Sequence, residues 1–278
     1  MNAVSPTVRR RRLAAALRRL RDQSGRTIDD VAKEVGISKS ALSRIENAQV
    51  SISVPAASSL LSTYGVEGDD FEALLQIARE ARKRGWWQSY SEVLPDWFET
   101  YVGLEAEASE IRTFESQLVP GVLQTPDYAR AIIRAEHPEA STAEVDRRVE
   151  LRMRRQGAEH RPKLWVILDQ SVLMRPVGGP SVMREQLERL QASAETPGVT
   201  IQVLPFDVCE HGSMGSSFSI LSFPEPGDSP VVYIETRAGS LYVEGVQARE
   251  YSVLFTHLTA SGRDQRASTA LIAEAAGT

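Results

Sequence analysis

The 278-residue sequence predicts an α+β protein in two parts. Residues 1–85 read as an all-α domain of five short helices, and residues 86–278 as helices leading into a mixed β-sheet. Three observations lead there. Residues 27–47, TIDDVAKEVGISKSALSRIEN, hold two short amphipathic helical patterns separated by one tight turn. From Pro162 onward the apolar period changes from helical to that of short, β-branched-rich strands. Charge is also divided unequally: residues 1–85 carry 15 Lys+Arg and 10 Asp+Glu, net +5, whereas the remainder carries 17 and 27, net −10.

Composition sets bounds on function. Hydrophobic content of 42% with 25% charge is ordinary for a globular protein, and no apolar run approaches the ~20 residues of a membrane helix. Arg9–Arg12 followed by Leu13–Leu17 has the order of a secretory or twin-arginine leader, but Arg18 and Arg19 cut the apolar stretch after five residues. One cysteine excludes an internal disulfide and a multi-cysteine metal site. The expected setting is cytoplasmic. A basic first part on an acidic second part is the asymmetry of a chain in which only the first part meets phosphate.

Taken in order, residues 1–7 read as disordered. Val8–Arg26 holds eight arginines and one acid, with Leu13, Leu17 and Leu20 as a narrow apolar stripe, so it reads as a helix ended by Gly25. Its arginines, Arg9 and Arg10 first, are candidate phosphate contacts. Thr27 suits an N-cap, with Asp30 completing a capping box. Val31, Ala32 and Val35 make one apolar face, Gly36 sits where the backbone must turn left-handed, and Ser38 caps the next helix, whose apolar face is Leu42 and Ile45. This is the spacing of a helix-turn-helix, whose second helix enters the DNA major groove. That helix leaves Lys39, Ser40, Ser43 and Arg44 facing outward, residue types that donate to base edges and phosphates. Val54–Tyr64 and Asp69–Lys83 read as the fourth and fifth helices.

Residues 8–80 resemble the Xre (Cro/C1-type) helix-turn-helix family. The resemblance implies that Arg21, late in the first helix, pairs with Glu46 at the end of the recognition helix. It also implies that Asn47 holds a phosphate; the cap residues Thr27 and Ser38 are further candidates for the DNA surface. A glutamine that often follows the position of Thr27 is replaced here by Ile28, which shifts phosphate binding onto the N-terminal arginines.

In the second part, Trp86, Trp87, Tyr90 and Trp97 cluster just after Gly85; they either start the second core or form an interface. Pro95–Phe114 reads as a helix with an acidic face. Thr125-Pro126 opens another helix, and Ser141 caps one over 141–157. That helix carries Arg147, Arg148, Arg152, Arg154 and Arg155, which in so acidic a body read as a salt-bridged face rather than a second nucleic-acid surface. KLWVILDQSVL and VTIQVLPF flank a helix over 181–194 and so read as a parallel β-α-β unit. SFSILSF, PVVYIET and SLYVEGV read as antiparallel strands, followed by helices at 245–260 and 265–275.

FESQLVPGVLQTPDYARAIIRA, the RRVELRMRRQ run, LWVILDQSVLMRPVGGPSVMREQLERL, VTIQVLPF and PVVYIET resemble the C-terminal domain of actinobacterial antitoxin-like Xre regulators, the WhiJ-like proteins. The resemblance implies a small partner protein encoded nearby, without a ligand, cofactor or reaction. Cys209, His211 and Asp207 share a Gly/Ser-rich loop that could hold a nucleophile, but i, i+2 spacing does not by itself bring the pair together. Three readings stand: a homodimeric regulator of a double-stranded DNA operator with a partner-binding body, the same head with a small-molecule-sensing body, and an enzyme with a DNA-targeting head.

Overall fold

Five helices form the first unit: α1 (Pro6–Gln23), α2 (Ile28–Val35), α3 (Lys39–Glu46), α4 (Val54–Thr63) and α5 (Gly68–Glu80). The structure is a computed structural model describing residues 6–83, 85–157, 161–225 and 228–277. The chain divides into two units, Met1–Gln88 and Ser89–Thr278. Thr27, Ser38 and Ser53 each accept a hydrogen bond from the backbone N–H three residues on, fixing the starts of α2, α3 and α4. Leu13 and Leu17 of α1, Val31 and Ala32 of α2, Leu42 and Ile45 of α3, and Leu60, Leu61 and Leu75 close one core. Burial of each such aliphatic side chain contributes about 1.5–3 kcal/mol.

Two expectations are corrected in this unit. Of residues 1–7, Pro6 and Thr7 already belong to α1, while residues 1–5 lie outside the described residues. The fifth helix stops at Glu80, so Arg82 and Lys83 follow it, and Arg84 lies outside the described residues.

The second unit begins with α6 (Asp96–Glu105) and β1 (Glu110–Glu115). There follow α7 (Pro126–Glu136), α8 (Thr142–Gln156), β2 (Lys163–Asp169), α9 (Gln170–Met174), α10 (Pro180–Ala194) and β3 (Val199–Leu204). The chain then forms β4 (Phe218–Ser222), β5 (Val231–Thr236), β6 (Gly239–Val243), α11 (Val246–Ser261) and α12 (Gln265–Gly277). The six strands make one mixed sheet in the order β3-β2-β1-β4-β5-β6. β1, β2 and β3 run parallel, with Ile111 opposite Leu164 and Leu164 opposite Val199. β4, β5 and β6 are antiparallel to their neighbours. The fold is α+β, and the β-α-β unit and the antiparallel strands stand as read from the sequence.

The single helix expected over 95–114 is wrong. It ends at Glu105, and Glu110–Glu115 is the strand between β2 and β4. Ile111 and Phe114 are buried on opposite faces of the sheet, which a helical reading places on one stripe. One face carries Phe114, Ile167, Phe218, Val232 and Ile234 against Phe255 and Leu258 of α11. The open edge of β3 is closed by the chain after α11: Arg263 N–H donates to the Val203 carbonyl at 2.9 Å, and Val203 N–H to Ser268 Oγ at 2.9 Å.

Candidate nucleic-acid interface

The turn between α2 and α3 depends on Gly36. Its φ of 75° is left-handed, and the N–H groups of Gly36 and Ile37 both reach the Ala32 carbonyl. A Cβ there would meet no atom within 4 Å, so the requirement for glycine is conformational rather than steric. The turn sets α3 with Leu42, Ile45 and Glu46 inward. Lys39, Ser40 and Arg44 are exposed and Ser43 is half-buried along the outer side.

The outer face is partly organised. Lys39 Nζ lies 2.6 Å from Asp29 Oδ2, with both side chains more than 60% exposed, so the contact is weak and exchangeable. Ser38 Oγ caps Ala41 N–H and lies 3.1 Å from Ser40 Oγ. Thr27 Oγ1 accepts from Asp30 N–H and donates to Asp30 Oδ2 at 2.6 Å, which with the Thr27 backbone holds the Asp30 carboxyl below its usual range. Asn47 Nδ2 donates to the Ser43 carbonyl at 2.8 Å and closes the last turn of α3. Arg44 makes no ion pair among the described residues. Ile28, where the Xre pattern often has glutamine, packs against the core of the unit.

Arg9, a candidate phosphate contact in the sequence, has a partner inside the unit. It is buried, and its Nη2 lies 3.0 Å from Glu80 Oε2, tying α1 to α5. In this conformation it is an internal strut rather than a surface cation; its partner is 71 positions away in sequence. Arg10, Arg11 and Arg12 are half-buried, and Arg18 and Arg19 are exposed.

Behind the recognition helix, Arg21 and Glu46 form the expected pair. Arg21 Nε lies 2.8 Å from Glu46 Oε1 and its Nη2 3.0 Å from Oε2, a two-pronged contact. Glu46 is 3% exposed at its side chain and Arg21 14%, so the pair is largely withdrawn from water. The hydrogen bond to Glu46 raises the Arg21 pKa.

The arginines of α8 are spent internally. Arg147 bridges Glu92 and Glu150 and lies 3.9 Å above the Tyr90 ring, and Arg148 pairs with Glu144. Arg152 donates to Gln124 Oε1 at 2.7 Å. Arg155 grips Glu105 at 2.7 and 2.8 Å, both side chains below 10% exposed. Tyr90 is buried beneath Arg147 and donates to Glu150, so it serves the second unit's own packing.

The Gly/Ser-rich loop does not join Cys209 to His211. His211 Nδ1 accepts from Ser213 N–H at 3.2 Å and its ring meets Phe114 edge-on, while Cys209 Sγ sits near the Asp207 carbonyl. Asp207 pairs with Arg263. His160 lies outside the described residues, and no group of three metal-ligating side chains occurs among the described ones. No helix of the described residues is long and apolar enough to cross a membrane.

Sequence reasoning missed one cluster. Tyr101 of α6 packs on Tyr233 of β5 with ring centroids 4.3 Å apart, and Tyr233 donates to Glu235 at 2.8 Å. Glu115 at the end of β1 is held by Ser217 and Thr113, and burial pushes its carboxyl up to about 8. These side chains come from elements more than a hundred residues apart, and no motif marks them.

A helix-turn-helix domain model matches residues 12–74, and the model of a domain of unknown function, DUF5753, matches residues 98–274. No curated protein and no solved structure matches the chain. The first unit thus contains a helix-turn-helix DNA-binding domain, which points to a regulator rather than an enzyme. With the second match spanning well over half its length, the chain belongs to the DUF5753 family and joins that domain to an N-terminal helix-turn-helix.

Proposed function

We propose that the protein is a sequence-specific transcriptional regulator of the Xre type that reads a double-stranded DNA operator with α3. Lys39, Ser40, Ser43 and Arg44 would contact base edges. Thr27, Ser38, Asn47 and Arg10 would position the backbone, with Arg9 removed from that set by its pairing with Glu80. The observation that supports this most is the row of donors on α3, held outward by the Gly36 turn while Leu42, Ile45 and Glu46 anchor the other side. Footprinting tests it. Lys39→Ala and Arg44→Ala should change sequence preference, and unchanged affinity and preference in both would overturn the assignment.

The body, residues 86–278 in the sequence reading, serves in this proposal as the dimerisation and partner-binding domain. Two heads on half-sites about one helical turn, ~34 Å, apart would give a pseudo-palindromic operator. The antitoxin-like resemblance supports a small partner protein encoded nearby, testable by co-purification. A monomeric body beside a dimeric head in light scattering would overturn the dimer arrangement. A second reading, a body that senses a small molecule, is favoured by the tyrosine–glutamate cluster behind α6.

A further inference from the structure

The two sides of α11 differ in character. Ala248, Phe255 and Leu258 are buried in the core that α11 forms with the sheet. A helix turns about 100° per residue, which sets Val246, Arg249, Glu250 and Val253 on the opposite side within an arc of about 100°. All four are exposed, Val246 at 73% and Val253 at 58%. Valine suits a solvated helix face poorly: it is a weaker helix former than alanine and leaves apolar area in water. Of the six large apolar side chains exposed among the described residues, three, Leu241, Val246 and Val253, fall within residues 241–253. Leu241 stands opposite Ile234 across β6 and β5, on the sheet face that α11 covers, and adds apolar area there.

The two charges between the valines lack partners. Neighbours in sequence do not face each other on a helix, and the positions three and four away from Arg249 and Glu250 hold no opposite charge. Neither side chain makes an ion pair or hydrogen bond among the described residues. Yet the run VQAREYSV, residues 246–253, is its own complement. Turned end to end, it sets valine on valine and arginine on glutamate. Two copies of α11 crossing antiparallel about a two-fold axis between positions 249 and 250 bring Val246 to the partner's Val253 and Arg249 to the partner's Glu250. The symmetry makes each contact twice.

We propose that this outer face of α11 is the contact between two copies of the body. The contact rests on the reading of the body as the dimerisation domain, and it names the surface that does the work. Residues 86–278 carry net −10, so two bodies repel over most of their surfaces. The α11 face holds one charge of each sign and escapes that repulsion. A partner patch of a single sign would repel either Arg249 or Glu250, whereas a second copy satisfies both. A stable interface covers ~800 Å² per partner, more than four side chains supply. Thr256 and Ala260, exposed on the following turns of the same side, extend it.

Sedimentation velocity of the full-length protein over a range of concentrations tests this. The unsubstituted protein should dimerise. Arg249→Glu sets two acids against the partner's two acids, and Glu250→Arg two bases against two bases. Each should weaken dimerisation by about tenfold or more. An equimolar mixture of the two variants should dimerise again, as a heterodimer, because every acid then meets a base. The double variant, Arg249→Glu with Glu250→Arg, keeps the run self-complementary and should dimerise as the unsubstituted protein does. Val253→Glu should weaken dimerisation by a similar factor; its position is exposed, so the fold should persist, as circular dichroism would check. Variants that dimerise as tightly as the unsubstituted protein overturn the α11 contact and leave the dimer reading standing. A mixture no more associated than its components also overturns the contact. An unsubstituted protein that is monomeric at every concentration overturns the dimer reading itself, and the contact with it.

Discussion

Two helices of this molecule are crowded with arginine and use it differently. α1 carries seven arginines and one acid, Asp22; α8 carries five arginines and three acids. In α8, Arg147, Arg148 and Arg155 each meet a carboxylate, Arg152 meets an amide oxygen and Arg154 lies over Tyr90. In α1, Arg9 and Arg21 pair with Glu80 and Glu46, whereas Arg18 and Arg19 are exposed and meet no acid among the described residues. Arginine density is therefore a poor guide to a phosphate-binding surface. What decides is how many carboxylates the fold brings within reach, and the first unit, net +5, leaves a surplus that the second, net −10, does not.

The largest test of that contrast is Arg155→Ala. It would leave Glu105 buried at 9% side-chain exposure without its cation, and breaking a buried pair costs ~3–5 kcal/mol. Urea denaturation should show that loss for the body's transition. Replacing both partners with apolar residues of similar volume, Arg155→Met with Glu105→Leu, should recover most of it. A single-variant loss below about 1 kcal/mol would mean that water reaches the pair.

Glu46→Ala comes next. Glu46 is as deeply buried as Glu105, but Arg21 keeps more solvent and a second carboxylate, Asp22 Oδ1 at 2.9 Å, so its stranded charge is better accommodated. A cost of about 3 kcal/mol, the lower end of the buried-pair range, is expected. The head's melting temperature should fall before any base preference changes, and an unchanged melting temperature would remove the structural role.

How far these pairs could be foreseen depended on sequence distance. Thr27, Ser38, Ser53 and Gly36 act within a few residues of themselves, so the head's helices were legible from local pattern. Arg21 and Glu46 were legible only through family resemblance. β1 was not: its six residues follow a helical stretch, and the strands that hold it, Lys163–Asp169 and Phe218–Ser222, lie about 50 and 110 positions away. The pairing of Arg9 was not legible for the same reason, its partner Glu80 being on α5. Tyr101 and Tyr233 meet only when α6 packs on the sheet, and nothing in their sequence neighbours announces it.

Arg44→Ala tests the recognition surface against the arginines of α8. Each good base contact contributes ~1–3 kcal/mol of discrimination, so the variant should relax preference at one operator position by up to that amount. Arg147→Ala should leave operator preference untouched, because its fork is shared among Glu92, Glu150 and the Ser89 carbonyl. Equal losses from the two variants in a binding-site selection would erase the distinction between the units.

The smallest effect expected is that of Arg148→Ala, and its value lies in being small. Arg148 Nη2 is 2.9 Å from Glu144 Oε1 one turn earlier on α8, with the two side chains 19% and 39% exposed. Such a pair contributes ~0.3–0.5 kcal/mol. Alanine is the better helix former, which offsets part of the loss. Glu144 stays in the first turn of α8, where the helix dipole favours an acid, so it is not stranded. Stability should therefore change by less than about 0.5 kcal/mol. The dependence of operator binding on salt should not change at all, since an arginine that meets no phosphate releases no counterion. A fall of ~1 in the log–log salt slope would place α8 on DNA and break the contrast between the two helices.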